Sequence, residues 1–268
     1  MEQMACRKRE NRRSRRPLPA TAPHTSGRDA RETAQGRRWA PTERRSNPMA
    51  AMIQSANHKN DGENTAITCL FLDIGGVLLT DGWDRHARER AAINFKLELA
   101  EIEERHHLAW DTYQEGKLTL EDYLDWVVFH QKRPFSRAQF RHFMFEQSKP
   151  HPEMIELVTQ LKLRHSLKIA VVSNEGRELN AYRIAQFKLD ELVDLFISSC
   201  FVHLLKPDAD IFRLALDIAQ VPARQIAYIE NTPMFVQVAE SLGIRSVLHT
   251  DYASTSATLA SFGLQRES

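Results

Sequence analysis

The sequence predicts an α/β protein in which a parallel sheet of about five strands carries helices on both faces and an all-helical segment is inserted. Three observations predict this. From Pro152 onward, short continuous apolar runs alternate with amphipathic stretches at helical spacing. Strands covered on both faces of a parallel sheet read as such runs, because neither side meets water. One further run, Cys69-Leu70-Phe71-Leu72, lies far upstream of the others. Between it and Pro152, residues 82–149 show helical periodicity and no strand candidate of useful length. This is the pattern of a Rossmann-like core, residues 65–81 and 150–268, interrupted by a helical segment at 82–149.

The first strand runs into Asp73, Ile74, Gly75 and Gly76. A lone carboxylate in a buried strand is costly unless it sits at the strand's end or is paired. The two glycines supply the end, since they let the chain turn sharply and approach a ligand closely. Asp73 therefore stands either at the open edge where α/β proteins bind ligands or at the cap of a loop. Asp81-Gly82-Trp83-Asp84 reads as a loop. Ala91, Ala92, Phe95, Leu97 and Leu99 begin one helix. Two capping boxes, Thr119 with Asp122 and Ser136 with Gln139, open two more. Leu120, Tyr123, Leu124 and Val127 follow the first box at helical spacing.

Alternation then sets in. A helix bearing Met154, Ile155, Leu157, Val158 and Leu161 leads to a strand at 168–172, and a helix at about 177–187 leads to Leu195-Phe196-Ile197. A helix opened by Asp208 leads to a strand at 225–229, and a last helix ends at Gly243 before Ser246-Val247-Leu248.

Charge is unevenly placed. The 268 residues carry a formal net charge of +1, yet residues 1–50 hold thirteen Arg or Lys against five Asp or Glu. The remainder is mildly acidic and offers no basic face for nucleic acid. Residues 1–64, rich in Arg, Ser, Pro, Thr and Asn without aliphatic periodicity, are expected to be a disordered basic segment. Its scattered acids and missing apolar face argue against a transit peptide. An alternative is a start at Met49 or Met52, with the basic tail not natural sequence. Cys6, Cys69 and Cys200 are too few and scattered for a disulfide framework or a metal cluster. No apolar stretch approaches the roughly 18 residues that span a bilayer. The chain reads as soluble and cytoplasmic, with no membrane partner.

In a parallel sheet the informative positions lie just past each strand. Here they are Asp73, then Ser173-Asn174, then Lys206-Pro207-Asp208, then Glu230-Asn231-Thr232-Pro233. Each has a plain structural reading: Ser173 a loop residue, Lys206 a solvated charge, Thr232 an N-cap with Pro233 at the first helical position. Four such ends together favour a site. In order and spacing they resemble the four motifs of the haloacid dehalogenase-like hydrolases. The segment 82–149 resembles that family's small α-helical cap, and the sugar-1-phosphatase-like branch is the nearest in kind. The resemblance covers about residues 66–262.

The resemblance implies a Mg²⁺-dependent phosphatase acting on a small phosphorylated metabolite. Asp73 would be the nucleophile, forming an aspartyl-phosphate that water hydrolyses. Lys206 would be the fixed cation holding Asp73 and the phosphoryl group together. Ser173, Asn174 and Gly76 would bind the phosphoryl group. The metal would be held by Asp73, the backbone carbonyl of Gly75, Glu230 and Asn231. The cap would close over the site. Trp83, with Asp84 and Arg85 at the cap entrance, would contact substrate or else form a hinge that packs.

Two residues depart from the family pattern. Gly75 stands where family phosphatases usually carry an Asp that protonates the leaving group, a loss worth about 10²–10⁴-fold for a poor leaving group. Asn231 offers a neutral oxygen where the Glu-Asp pattern has a carboxylate, which weakens Mg²⁺ binding. These departures keep a second reading open, a catalytically impaired protein that binds a phosphorylated ligand in a regulatory role. A third, metal-free carbon–halogen hydrolysis on the same Asp, is disfavoured because no halide-binding aromatic and Arg arrangement follows Asp73.

Overall fold

The structure is a computed structural model that describes residues 65–266. The basic N-terminal segment, with Cys6, Met49 and Met52, lies outside the described residues. Strands β1 (Cys69–Leu72), β2 (Lys168–Ser173), β3 (Leu195–Ser198), β4 (Ile226–Glu230) and β5 (Arg245–Leu248) form one sheet. All neighbours are parallel and the order is β3-β2-β1-β4-β5. The order therefore reverses between β1 and β4, and ligands of open α/β sheets bind beyond the carboxyl ends at such a switch point. Leu72, the last residue of β1, pairs with Val171 on one side and Ile229 on the other.

The period-2 alternation of these strands divides the interior into two cores. Leu70, Leu72, Ile169, Val171, Ala227 and Ile229 face one side. They meet helices α5 (Pro152–His165), through Met154, Leu157, Val158 and Leu161, and α11 (Tyr252–Ser261), through Leu259. Cys69, Phe71, Ala170, Val172, Ile226 and Tyr228 face the other. There they meet α9 (Ala209–Ala219), through Ile211, Phe212 and Ala215, and α10 (Pro233–Ser241), through Ala239. The remaining core helices are α6 (Arg177–Phe187) and the short α7 (Leu189–Leu192) and α8 (Ser199–Val202). The α/β class and its parallel sheet stand as the sequence predicts, while α11 was not legible. Its Ser- and Thr-rich run has modest helix propensity; Asp251 caps it by accepting from the Ser254 amide, and buried Leu259 docks it.

Between β1 and α5 the chain forms four helices, α1 (Arg85–Phe95), α2 (Leu99–Gln114), α3 (Leu120–Val127) and α4 (Arg137–Glu146). The helix expected to run from Ala91 through Leu99 is two. Lys96, at φ 51°, takes the left-handed conformation and returns its N–H to Ala92 and Ile93, which ends α1. Both capping boxes form and open α3 and α4. The four helices share their own apolar cluster around Trp83, Tyr113, Tyr123 and Phe140. The two chain crossings into this insertion run side by side, with Thr80 N–H donating to Lys149 O (2.8 Å) and Lys149 N–H to Thr80 Oγ1 (3.0 Å). Among the described residues, no helix is long and apolar enough to cross a membrane.

Candidate active site

Asp73 extends the β1 ladder by one residue, its N–H donating to Ile229 O at 3.0 Å. This brings its carboxylate to the sheet edge at the switch point, where Asp73 keeps 8% of its surface exposed. Lys206, 3% exposed, stands on the loop before α9 and puts Nζ 3.0 Å from Asp73 Oδ1. The loop is pinned by Asn174, whose Oδ1 accepts from Lys206 N–H (2.8 Å) while its Nδ2 donates to Lys206 O (2.9 Å). Asn174, expected to contribute to phosphoryl binding, thus has its side chain occupied in holding the lysine.

Lys206 Nζ also donates to Glu230 Oε2 (2.6 Å) and Tyr228 Oη (3.2 Å). Burial alone would lower the lysine's pKa, but the Asp73 and Glu230 carboxylates outweigh it and raise the value, so the ammonium persists. Glu230 is wholly buried, and burial pushes its carboxyl up, with Asp73 adding to this against the pull of Lys206. Tyr228 donates to the same Oε2, and the Thr232 N–H takes Oε1 at 2.9 Å. Both oxygens of Glu230 are therefore committed inside the protein. This revises its expected place among metal ligands: Glu230 fixes the lysine. Thr232 remains the N-cap of α10, with Pro233 in the first turn.

The turn after Asp73 faces Asn231 and Asp81. Gly76 has φ +71°, and a Cβ on it would lie 2.0 Å from Asn231 Nδ2, so both conformation and space demand glycine. The Asn231 amide nitrogen donates to Asp81 Oδ1 at 3.5 Å. A Cβ on Gly75 would come within 3.3 Å of the same Oδ1, so Asp81 borders the space that an acidic side chain at position 75 would use. Partial burial, then the neighbouring charges of Asp73 and Asp84, push the Asp81 carboxyl above its ordinary range. Sequence reading placed Asp81 in a plain Asp-Gly loop. Its closeness in the chain to the turn after Asp73 was the available signal.

Ser173 ends β2 almost fully buried. Beyond it Glu175 and Arg183, which the sequence did not single out, form a buried ion pair at 2.5 Å. Arg183 also donates to Ser148 Oγ (3.0 Å) and to Asp81 O (2.7 Å), tying both chain crossings to the core. Trp83 takes the packing alternative. It is 2% exposed, donates from Nε1 to Tyr123 Oη at 2.9 Å and meets Phe140 edge-on. Asp84 caps α1 through the Ala87 N–H, and exposed Arg85 pairs with Glu89.

With both Glu230 oxygens hydrogen-bonded within the protein, the side-chain oxygen donors left on this edge are the Asp73 carboxylate and the Asn231 amide, with Asp81 alongside. Mg²⁺ is commonly held by one or two carboxylates together with substrate phosphate rather than by a full protein cage. That donor set fits it. Among the described residues, no group of three His, Cys, Asp or Glu is placed to hold an ion.

Comparison with known proteins gives the family. The family description "haloacid dehalogenase-like hydrolase" matches residues 67–243. A candidate pyrophosphatase, PpaX, of Caldanaerobacter subterraneus subsp. tengcongensis is 28% identical over 100 residues, 37% of this chain and 45% of that one. The match thus spans under half the length of this curated relative. An enzyme of the same family from Bacteroides thetaiotaomicron, solved in complex with magnesium and inorganic phosphate, has a TM-score of 0.58 at 21% identity, covering 68% of this chain and 93% of that one. The L-2-haloacid dehalogenase of Xanthobacter autotrophicus has a TM-score of 0.51 at 14% identity, covering 74% of this chain and 84% of that one. These two likenesses show a shared fold. The family match, extending over well more than half of the residues, shows that the chain belongs to the haloacid dehalogenase-like hydrolases.

Proposed function

We propose that the chain is a Mg²⁺-dependent phosphatase of small phosphorylated metabolites that works through an aspartyl-phosphate on Asp73. The observation that carries this is the Asp73 carboxylate at the switch point, 3.0 Å from the buried ammonium of Lys206. The relative named as a candidate pyrophosphatase and the fold neighbour solved with magnesium and phosphate support it.

An Asp73 oxygen attacks phosphorus, the bond to the leaving oxygen breaks, and that oxygen takes its proton from solvent because position 75 carries no acid. Water then attacks the same phosphorus, releases phosphate and restores the carboxylate. Lys206 balances the charge on Asp73 and the phosphoryl oxygens throughout, held in place by Glu230, Tyr228 and Asn174. The Ser173 hydroxyl and the backbone of Gly76 serve as phosphoryl contacts. Asp73, the Gly75 carbonyl and Asn231 would hold Mg²⁺, which would supply positive charge against the phosphoryl oxygens. Helices α1–α4 act as the cap, and the small exposure of Asp73 means that substrate enters when they move. Without an acid at position 75, acyl phosphates and sugar hemiacetal phosphates, which leave readily, suit the site best. A cytoplasmic setting agrees with Cys69 and Cys200, two buried free thiols.

The test is hydrolysis of an aryl phosphate with added Mg²⁺. Asp73→Asn is expected to lower turnover by at least about 10³-fold; turnover that survives the change contradicts the proposal. Phosphate binding with no Mg²⁺-dependent turnover in the wild type favours the impaired, ligand-binding reading that Gly75 and Asn231 keep open.

A further inference from the structure

Asn231 creates a difficulty that a carboxylate would not. An amide has one oxygen and one nitrogen end, and only the oxygen ligates a hard cation such as Mg²⁺. A carboxylate has no wrong end. Something must decide which way the amide faces.

The structure shows a group placed to do this. Asn231 Nδ2 donates to Asp81 Oδ1, and Asn231 Oδ1 has no hydrogen-bond partner among the described residues. Asp81 itself is held by its backbone: its carbonyl accepts from Arg183 Nη2 at 2.7 Å, and Arg183 is anchored on buried Glu175. Gly82, next in the chain, packs so closely that a Cβ would lie 2.0 Å from Arg183 Nη2. The carboxylate is therefore presented from a braced stretch of chain. The missing side chain of Gly76 leaves the room the amide occupies, since its nitrogen lies 2.0 Å from where a Cβ would stand.

We infer that Asp81 is a positioning residue for the metal site: by accepting the Asn231 amide N–H it leaves the amide oxygen as the end free to ligate. The inference rests on the Mg²⁺-dependent reading above. Outer partners of this kind typically change metal affinity 10–100-fold when removed. Asp81 takes no part in the chemical step in this role.

The experiment is calorimetric titration of the full chain with MgCl₂, checked by Mn²⁺ electron paramagnetic resonance, so that the readout is binding rather than turnover. Asp81→Leu removes the acceptor and is expected to weaken Mg²⁺ binding by about 10–100-fold. Asp81→Asn keeps a side-chain acceptor and is expected to stay within a few-fold of the wild type. In the Asn231→Asp background, where the ligand has no wrong end, Asp81→Leu is expected to change affinity by less than about threefold, a non-additivity that a merely structural role would not produce. Equal losses from Asp81→Leu in both backgrounds overturn the inference, as does a loss in Asp81→Asn as large as that in Asp81→Leu. If the wild type binds neither Mg²⁺ nor Mn²⁺, the metal-dependent reading itself fails, and the role of Asp81 falls with it.

Discussion

In the helical insertion, the buried polar groups of Trp83, Tyr123 and His106 satisfy one another, while Tyr113 Oη and His130 Nδ1 are buried without a partner among the described residues. Trp83 Nε1 donates to Tyr123 Oη, which in turn faces His106 Nδ1 at 2.8 Å, and all three rings are buried in an aromatic cluster. At the sheet edge the buried polar groups converge instead. Lys206 holds Glu230 on one side and Asp73 on the other, and Asp73 is the most exposed of the three, at the edge. A closed chain of partners stabilises a fold and does nothing more. A network that ends on one unsaturated carboxylate beside a fixed cation is poised for chemistry.

Changes on the two sides should therefore separate stability from turnover. Lys206→Met is the most damaging. It strands Glu230 and Asp73 without their cation, with an expected loss of about 3–5 kcal/mol in urea unfolding and of all phosphatase activity. A variant that keeps both would break the comparison. Tyr123→Phe removes the central hydroxyl of the insertion's chain and leaves two buried partners unsatisfied. About 1–3 kcal/mol of stability should be lost, while kcat/KM for an aryl phosphate stays within twofold.

Acidification sharpens the contrast further. Burial, with Arg88 nearby, pushes the His106 imidazole down to about 3, so the folded state keeps it neutral while the unfolded chain takes up a proton near pH 6.5. The unfolded state then binds more protons between those values, and stability falls as pH drops through 6.5 toward 3. Unfolding titrations should show about 1.5 kcal/mol lost to this group between pH 6.5 and 5. His106→Gln should flatten that slope; an unchanged slope would mean that the imidazole is not held neutral. The smallest effect is expected of Trp83→Phe, which forfeits one hydrogen bond for about 1 kcal/mol and leaves KM unaltered. A raised KM would return Trp83 to the substrate side.

What the sequence made legible follows the same division. Continuous apolar runs have one common cause, burial on both faces, so β1, β2 and β4 were readable from composition alone. The capping boxes were readable because their chemistry is local. Glu230 was not readable as the lysine's partner, since its commitment depends on Lys206 crossing from another loop and on the Thr232 N–H folding back. Period-2 spacing did place Tyr228 and Glu230 on one face, a hint that a hydroxyl would stand beside the carboxylate. Trp83 stayed open between contact and packing because a residue at a domain entrance can turn either way, and its packing is set by Tyr123, forty residues on. Asp81 and Arg183 were missed for a similar reason: their meaning lies in what the insertion brings next to them, and short-range pattern carries no trace of that.

Chemical trapping tests the proposed role of Asp73 as the nucleophile most directly. The full chain is mixed with an aryl phosphate and Mg²⁺, quenched in acid within a single turnover and reduced with borohydride, which converts an aspartyl-phosphate to homoserine. Peptide mass spectrometry should find homoserine at position 73 in the wild type. Mg²⁺-dependent turnover with position 73 left entirely as aspartate would contradict it.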